Sequence, residues 1–179
     1  APDKRVALFD VDYSFSGKNV MLRGVITSAE AKAALLNGLS KADYQVMDCL
    51  QVLPDEAALE GKTYGIINVS VSNLRVDPDF SSEMMTQGLM GMPVRVLQRD
   101  GWYRIQTPDN YIAWVHRVGI HPVTKEELHV WNRAEKIVVT SHYGFVYSEP
   151  NQSSQTVSDV VAGNRLKWEG TKGAFYKVA

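Results

Sequence analysis

An internal duplication constrains this chain more than any other feature of its sequence. At a spacing of 72 positions, Pro78 falls on Pro150, Ser81 and Ser82 on Ser153 and Ser154, Met85 on Val157, Leu89 on Val161, Gly91 on Gly163 and Val94 on Leu166, without a gap. One inserted residue near Gly173 then brings Trp102-Tyr103-Arg104-Ile105 onto Phe175-Tyr176-Lys177-Val178. Such self-similarity means two copies of one small unit. It divides the 179 residues into two or three small domains where length alone would also allow a single one.

The repeated unit reads as β. Val94, Val96, Tyr103 and Ile105 alternate at period two across an Asp100-Gly101 turn, and Pro108-Asp109-Asn110 makes a second turn into Tyr111-Ile112-Ala113-Trp114-Val115. Short strands with turns about every ten residues predict a small barrel.

What precedes the duplication has a different pattern. Arg5 to Tyr13 and Val20 to Ile26 are rich in β-formers and are joined by Ser16-Gly17-Lys18-Asn19. Thr27 and Glu30 make a capping-box pattern before Ala31, Leu35 and Leu39, which fall on one helical face. Tyr44 to Leu53 returns to strand character and Pro54 ends it. Between the copies, Thr124 and Glu127 form a second capping box ahead of Leu128, Trp131, Ala134 and Ile137, an apolar stripe that predicts a helix docked as a rigid spacer. The predicted fold class is therefore mainly β, with a small α+β N-terminal domain (β-β-α-β, residues 1–61). Two tandem small β-barrels follow, at 62–120 and 138–179, joined by a short connector helix at 121–137. The second barrel is predicted to be incomplete. The first copy continues past Ile105 into a closing strand, whereas Val178, the equivalent of Ile105, is followed only by Ala179. An open edge of this kind leaves apolar surface uncovered, so the expectation is a fragment of a longer protein, or a strand supplied by another chain.

Composition excludes several functions. A net charge of −1, with both signs mixed along the chain, gives no basic face for nucleic acid or an anionic membrane. No apolar run reaches the length of a membrane span. The single cysteine, Cys49, rules out an internal disulfide and a cysteine-based zinc cluster. Placed mid-strand and away in sequence from His116, His121, His129 and His142, it reads as a structural small hydrophobe, since a catalytic thiolate needs a helix N-terminus or a paired imidazole. His116 and His121 are five apart across a loop and His142 stands near the start of the second barrel, so the pair has no third ligand at metal spacing. Ala7-Leu8-Phe9-Asp10 with Tyr13 imitates the signature of eukaryotic polyproline-binding SH3 domains, but a helix follows and the first tryptophan is Trp102. The expectation is no catalytic residue, no metal and no cofactor in this chain.

The motif Asn73-Leu74-Arg75, a polar loop, Gly91-Met92-Pro93-Val94, Gly101-Trp102-Tyr103-Arg104-Ile105 and Tyr111-Ile112-Ala113-Trp114-Val115 resembles the bacterial SH3-like domain. Together with the N-terminal layer, the connector TKEELHVWNRAEKI and the second copy HYGFVYSEPNQSSQTVSDVVAGN, it is similar to the N-terminal region of the NlpC-type cell-wall cysteine peptidases of Bacteroides-like bacteria. That resemblance implies two SH3-like domains placed before a papain-like catalytic domain that cleaves peptidoglycan stem peptides between γ-D-glutamate and a diamino acid. Asp48-Cys49 matches the family's nucleophile motif for two letters only, with Leu50 and Gln51 where Ser and Gly belong, so no catalysis is carried over.

The function the resemblance implies is substrate recognition and scaffolding for an exported hydrolase, in the periplasm or cell envelope. The partners are then a stem peptide with a free amino terminus and a C-terminal catalytic domain outside this chain. The alternatives are a free-standing cell-wall-binding module and an independent enzyme using Cys49. In the family the first SH3-like domain lines the cleft near the peptide's amino end, and an ammonium leaving water needs carboxylates with an aromatic face nearby. The loop from Val76 to Gln87 supplies Asp77, Asp79 and Glu83, and the strands supply Trp102, Tyr103 and Tyr111. The candidate ligand-binding residues are Glu83 with Tyr111, Asp77 as a substitute, and Tyr103 and Trp102.

Overall fold

The computed structural model describes residue 3 and residues 5–179, and they form the mainly β architecture expected, with two α-helices. The N-terminal layer is β1 (Phe9–Ser16), β2 (Asn19–Ile26), α1 (Ala29–Lys41) and β3 (Gln45–Val52). β1 and β2 form an antiparallel hairpin over Gly17, whose φ of 61° suits the tight turn, and α1 carries the chain across to place β3 parallel to β2. Leu35, Leu36 and Leu39 of α1 pack with Tyr44 on a core of Val20, Leu22 and Leu50.

The cap of α1 differs from the expected one. Ser28 is the N-cap and accepts from the Ala31 N–H at 3.1 Å, because the Thr27 hydroxyl is occupied one residue earlier, accepting from the Leu8 N–H at 3.1 Å. Cys49 lies within β3, mid-strand as expected, but its side chain is exposed and outside the hydrophobic core, so it is not the packed small hydrophobe anticipated.

The first copy of the repeat comprises β4 (Tyr64–Ile67), β5 (Val71–Arg75), β6 (Met84–Leu89), β7 (Pro93–Asp100), β8 (Trp102–Gln106), β9 (Ile112–His116), a 3₁₀ turn and β10 (Ile120–Val123). They make one sheet in the order β10-β4-β7-β8-β9-β5-β6, which curls around its core and leaves β10 and β6 as edges, so the barrel is not closed by hydrogen bonds. Its centre is Ile67, Leu74, Val96, Ile105 and Val115, all without solvent exposure. Burial of each such aliphatic contributes about 1.5–3 kcal/mol. Leu59, which precedes the first strand of this sheet, belongs to the same core.

α2 (Lys125–Arg133) opens with the complete capping box: Thr124 Oγ1 accepts from the Glu127 N–H at 3.2 Å, and Glu127 Oε2 accepts from the Thr124 N–H at 2.8 Å. It is shorter than its apolar stripe. Ala134 is the C-cap, and Ile137 lies on the next strand.

The second copy comprises β11 (Lys136–Val138), β12 (Tyr143–Tyr147), β13 (Thr156–Val161), β14 (Arg165–Lys172) and β15 (Phe175–Val178). β12, β13 and β14 match β5, β6 and β7 end for end at the spacing seen in the sequence, and β15 starts on the residue equivalent to Trp102 once the inserted position is counted. Irregularities repeat as well as strands. The register shift between Val96 and Gln98 recurs between Trp168 and Gly170, and that between Leu74 and Arg75 recurs between Val146 and Tyr147. Gly91 and Gly163 both sit at positive φ, 82° and 93°, each donating its N–H to the carbonyl of an equivalent residue, Ile67 or Val139. The polar loop repeats too. Asp79 accepts from the Ser81 N–H at 2.7 Å, and Asn151 accepts from the Ser153 N–H at 2.9 Å.

The copies differ in closure. In the first, β9 pairs with both β8 and β5 and joins the two halves of the sheet. In the second, β12-β13 and β11-β14-β15 are separate sheets, and Tyr147 and Phe175 face each other across the gap with ring centroids 6.5 Å apart. The apolar cavity between them, about 640 Å³, has Phe145, Val160, Leu166 and Val178 in its walls.

Two junctions, each made of several contacts, fix the N-terminal layer and the second copy against the first. Leu8 and Leu53 of the layer share a small core with Leu97 and Ile112, while the Arg5 carbonyl accepts from the Ile112 N–H at 2.7 Å. On the other side the turn at Gly91 meets the turn at Gly163. There the Met90 carbonyl accepts from the Arg165 N–H at 2.9 Å, and Ser70 Oγ donates to Asp159 Oδ2 at 2.7 Å. The units are thus coupled directly, turn against turn, in addition to the connector helix.

Candidate functional site

A cavity of about 660 Å³ opens where the N-terminal layer meets the first copy, within the range of small-molecule sites. Three stretches of chain wall it. Arg5, Leu8, Phe9 and Asp10 come from the start of the layer. Val76, Asp77, Glu83, Met84, Met85 and Thr86 come from the polar loop and β6, and Arg104, Tyr111, Ile112 and Trp114 come from β8, β9 and the turn between them. Apolar side chains form the floor, and acids of both the loop and the layer stand at the rim beside two arginines.

The loop is held by its own polar groups. Arg75 donates to the Ser82 carbonyl at 2.5 Å, Ser82 Oγ accepts from the Asp77 N–H at 2.9 Å, and Asp79 accepts from both the N–H and the hydroxyl of Ser81 at 2.7 Å. The Ser81 hydroxyl foremost, with its N–H, holds the Asp79 carboxyl below the ordinary carboxylate value. Asp79 is therefore occupied within the loop. Asp77 and Glu83 remain exposed and line the cavity.

Tyr111 is half-buried immediately before β9, set by the turn that precedes it: its carbonyl accepts from the Thr107 N–H at 2.9 Å and the Thr107 hydroxyl at 3.2 Å. Arg5 reaches the same region but is paired with Asp3, Nη2 to Oδ2 at 2.7 Å, and that hydrogen bond lowers Asp3 to about 2.

Of the residues expected from sequence, Glu83, Tyr111 and Asp77 are brought to one cavity, while Trp102 and Tyr103 lie outside it. Tyr103 follows strand parity onto the inner face of β8, against the core beside Ile105. Trp102 shares the outer face with Arg104 but sits one step further along. There its ring packs edge-on against Phe80 at 4.8 Å and His116 at 4.9 Å. Asp10, Arg104 and Trp114 were not anticipated. The signal for Arg104 and Trp114 lay in the same alternation, which puts positions 104 and 114 on the outer face of adjacent strands.

Chemically the cavity brings carboxylates, a phenol and two guanidinium groups to one space, a set of donors and acceptors matched to charged groups of either sign. Among the described residues there is no group of three or more His, Cys, Asp or Glu able to hold a metal ion, and Cys49 is not in its walls. No helix among the described residues is long and apolar enough to cross a membrane.

Residues 74–119 match the bacterial dipeptidyl-peptidase SH3 domain family. The fold of the chain is similar to that of an NlpC/P60 family protein from Bacillus cereus, at 18% identity and a TM-score of 0.52 over 64% of this chain and 50% of that one. It is also similar to an NlpC/P60 endopeptidase from Photobacterium damselae subsp. piscicida, at 14% identity and a TM-score of 0.50 over 71% of this chain and 33% of that one. The chain thus spans half or less of the length of these solved relatives. No curated protein matches it in sequence. The comparisons thus show a bacterial SH3 domain over residues 74–119, in a chain whose fold is shared with part of each of the two solved relatives.

Proposed function

We propose that this chain is the substrate-recognition and scaffolding segment of an exported peptidoglycan stem-peptide peptidase of the γ-D-glutamyl-diamino acid type, acting in the periplasm or cell envelope, with the catalytic domain outside these residues. The observation that carries the proposal is the convergence of Asp77, Glu83 and Tyr111 on one cavity beside an apolar floor. A peptide's terminal ammonium needs charge and several acceptors at once, and two carboxylates with a phenol supply them. The loop bonds and the Thr107 turn hold these groups in place before any ligand arrives, which reduces the ordering cost of binding. The match over residues 74–119 and the two solved relatives support placing the segment beside a peptidase domain.

Calorimetric titration of L-Ala-γ-D-Glu-L-Lys into the chain tests the reading. Glu83→Gln and Tyr111→Phe should each weaken binding about tenfold, a loss of one charge-assisted or one buried hydrogen bond, and N-acetylation of the peptide should do the same to the parent chain. Equal affinity across these variants would remove both residues from the site.

A further inference from the structure

Of the two arginines in the cavity walls, Arg5 is paired with Asp3, whereas Arg104 has no ion pair among the described residues. It lies half-buried on β8, directly across from Trp114 on β9, with its guanidinium carbon 5.3 Å from the indole centroid. Stacking of this kind covers one face of the planar cation and leaves its N–H edges free to point elsewhere. Among the described residues none of the ion pairs includes Arg104. Its cross-strand neighbour on the other side, Gln98, keeps a buried Oε1 without any hydrogen-bond partner, so that neighbour does not satisfy it either. Burial lowers the Arg104 pKa, and the more distant charges of Asp10 and Asp77 oppose that shift only in part. A cation taken partly out of water normally has an anion against it.

We infer that Arg104, stacked on Trp114, is the anchor for a carboxylate of the ligand in the cavity that also holds Asp77 and Glu83. This rests on the stem-peptide reading above and adds the second half of the ligand's charge pattern. Guanidinium and carboxylate match as a planar bidentate pair. A phosphate or other multiply charged anion fits less well, because Asp10, Asp77 and Glu83 line the same space and would repel the excess charge. The ligand class is therefore an amino acid or short peptide bearing both an ammonium and a carboxylate. Arg104 then discriminates a free carboxylate from its amide.

The test is a cycle of ligands against variants. L-Ala-γ-D-Glu-L-Lys, its D-Glu α-carboxamide, its C-terminal carboxamide and its N-acetyl form are each titrated into the parent chain, Arg104→Lys and Arg104→Gln. One of the two carboxamides should bind the parent at least tenfold more weakly than the free acid. That ratio should shrink in Arg104→Lys and approach one in Arg104→Gln, while the penalty for N-acetylation persists in all three chains. Two results would overturn the inference: both carboxamides binding the parent as well as the acid, or Arg104→Gln lowering affinity for acid and amides by the same factor. Loss of the N-acetyl penalty alone would instead count against the ammonium site. Should the tripeptide fail to bind at all, titration with sodium acetate, followed at the Arg104 Nε–H resonance, decides the matter separately. A saturable shift in the parent that is missing when chloride replaces acetate supports the anchor, and no shift refutes it.

Discussion

Asn164 reaches back 94 positions to Ser70: its Nδ2 donates to the Ser70 carbonyl at 2.8 Å while its Oδ1 accepts from the Val161 N–H at 2.9 Å, and the side chain has no solvent exposure. One amide thus pins the turn of the second copy and ties it to the first. Asn164→Ala should lower stability by about 2–4 kcal/mol, because two buried backbone groups lose their partners. Chemical denaturation with Asn164→Asp as a second variant checks this, and a change under about 0.5 kcal/mol, the level of an ordinary surface substitution, would contradict it.

Gly91 takes part in the same junction from the opposite side. A Cβ at this position would lie 2.2 Å from the Arg165 carbonyl oxygen, at a φ of 82°. Gly91→Ala is expected to cost about 2–3 kcal/mol and to loosen the second copy selectively. Hydrogen exchange should show lost protection at Arg165, whose N–H bonds to Met90, before any loss in β1 to β3.

Thr124 carries the capping box of α2 and has no contact with the cavity. Thr124→Ala should therefore reduce stability by about 1 kcal/mol while leaving tripeptide affinity unchanged, a control against which losses at Glu83 and Arg104 can be judged.

Acid should release the tie between α1 and β3. Lys32 Nζ lies 2.8 Å from Asp48 Oδ2, and this hydrogen bond above all holds the Asp48 carboxyl below its ordinary 3.8. A carboxyl depressed in the folded state stabilises above its unfolded value, and that contribution is lost as pH falls through the folded value. Between about pH 5 and about pH 2, the parent should lose about 0.5 kcal/mol more stability than Asp48→Asn, a magnitude set by the pair's partial exposure.

The gap between β12 and β15 has a template in the first copy. Appending a copy of residues 107–116 after Ala179 supplies the equivalent of β9 in the repeat's own register. It should raise hydrogen-exchange protection of β12 and β15, whereas a scrambled sequence of the same composition should not.

Most of the β architecture was legible because the duplication is a matter of local chemistry. The glycines at 91 and 163 and the Pro78 and Pro150 loops impose the same turns wherever they stand. The cap of α1 was misplaced by one residue because the Thr27 hydroxyl bonds to Leu8 from the far end of the layer, a contact invisible in a local window. Asn164 was unreadable for the same reason: its counterpart in the first copy is Met92, so the repeat gave no hint of a buried amide. At the site, acids and a tyrosine were found by residue type alone. Strand parity sets Tyr103 beside Ile105 on the inner face, so it is Arg104, on the opposite parity, that lines the cavity.

The three-stretch construction of the cavity has a thermodynamic consequence. Its walls come from residues 5–10, 76–86 and 104–114, so it exists only when the layer and the first copy are folded and docked together. Any occupant binds that joined form alone and shifts the unfolding equilibrium of both by mass action. Saturation would then make two melting units behave as one.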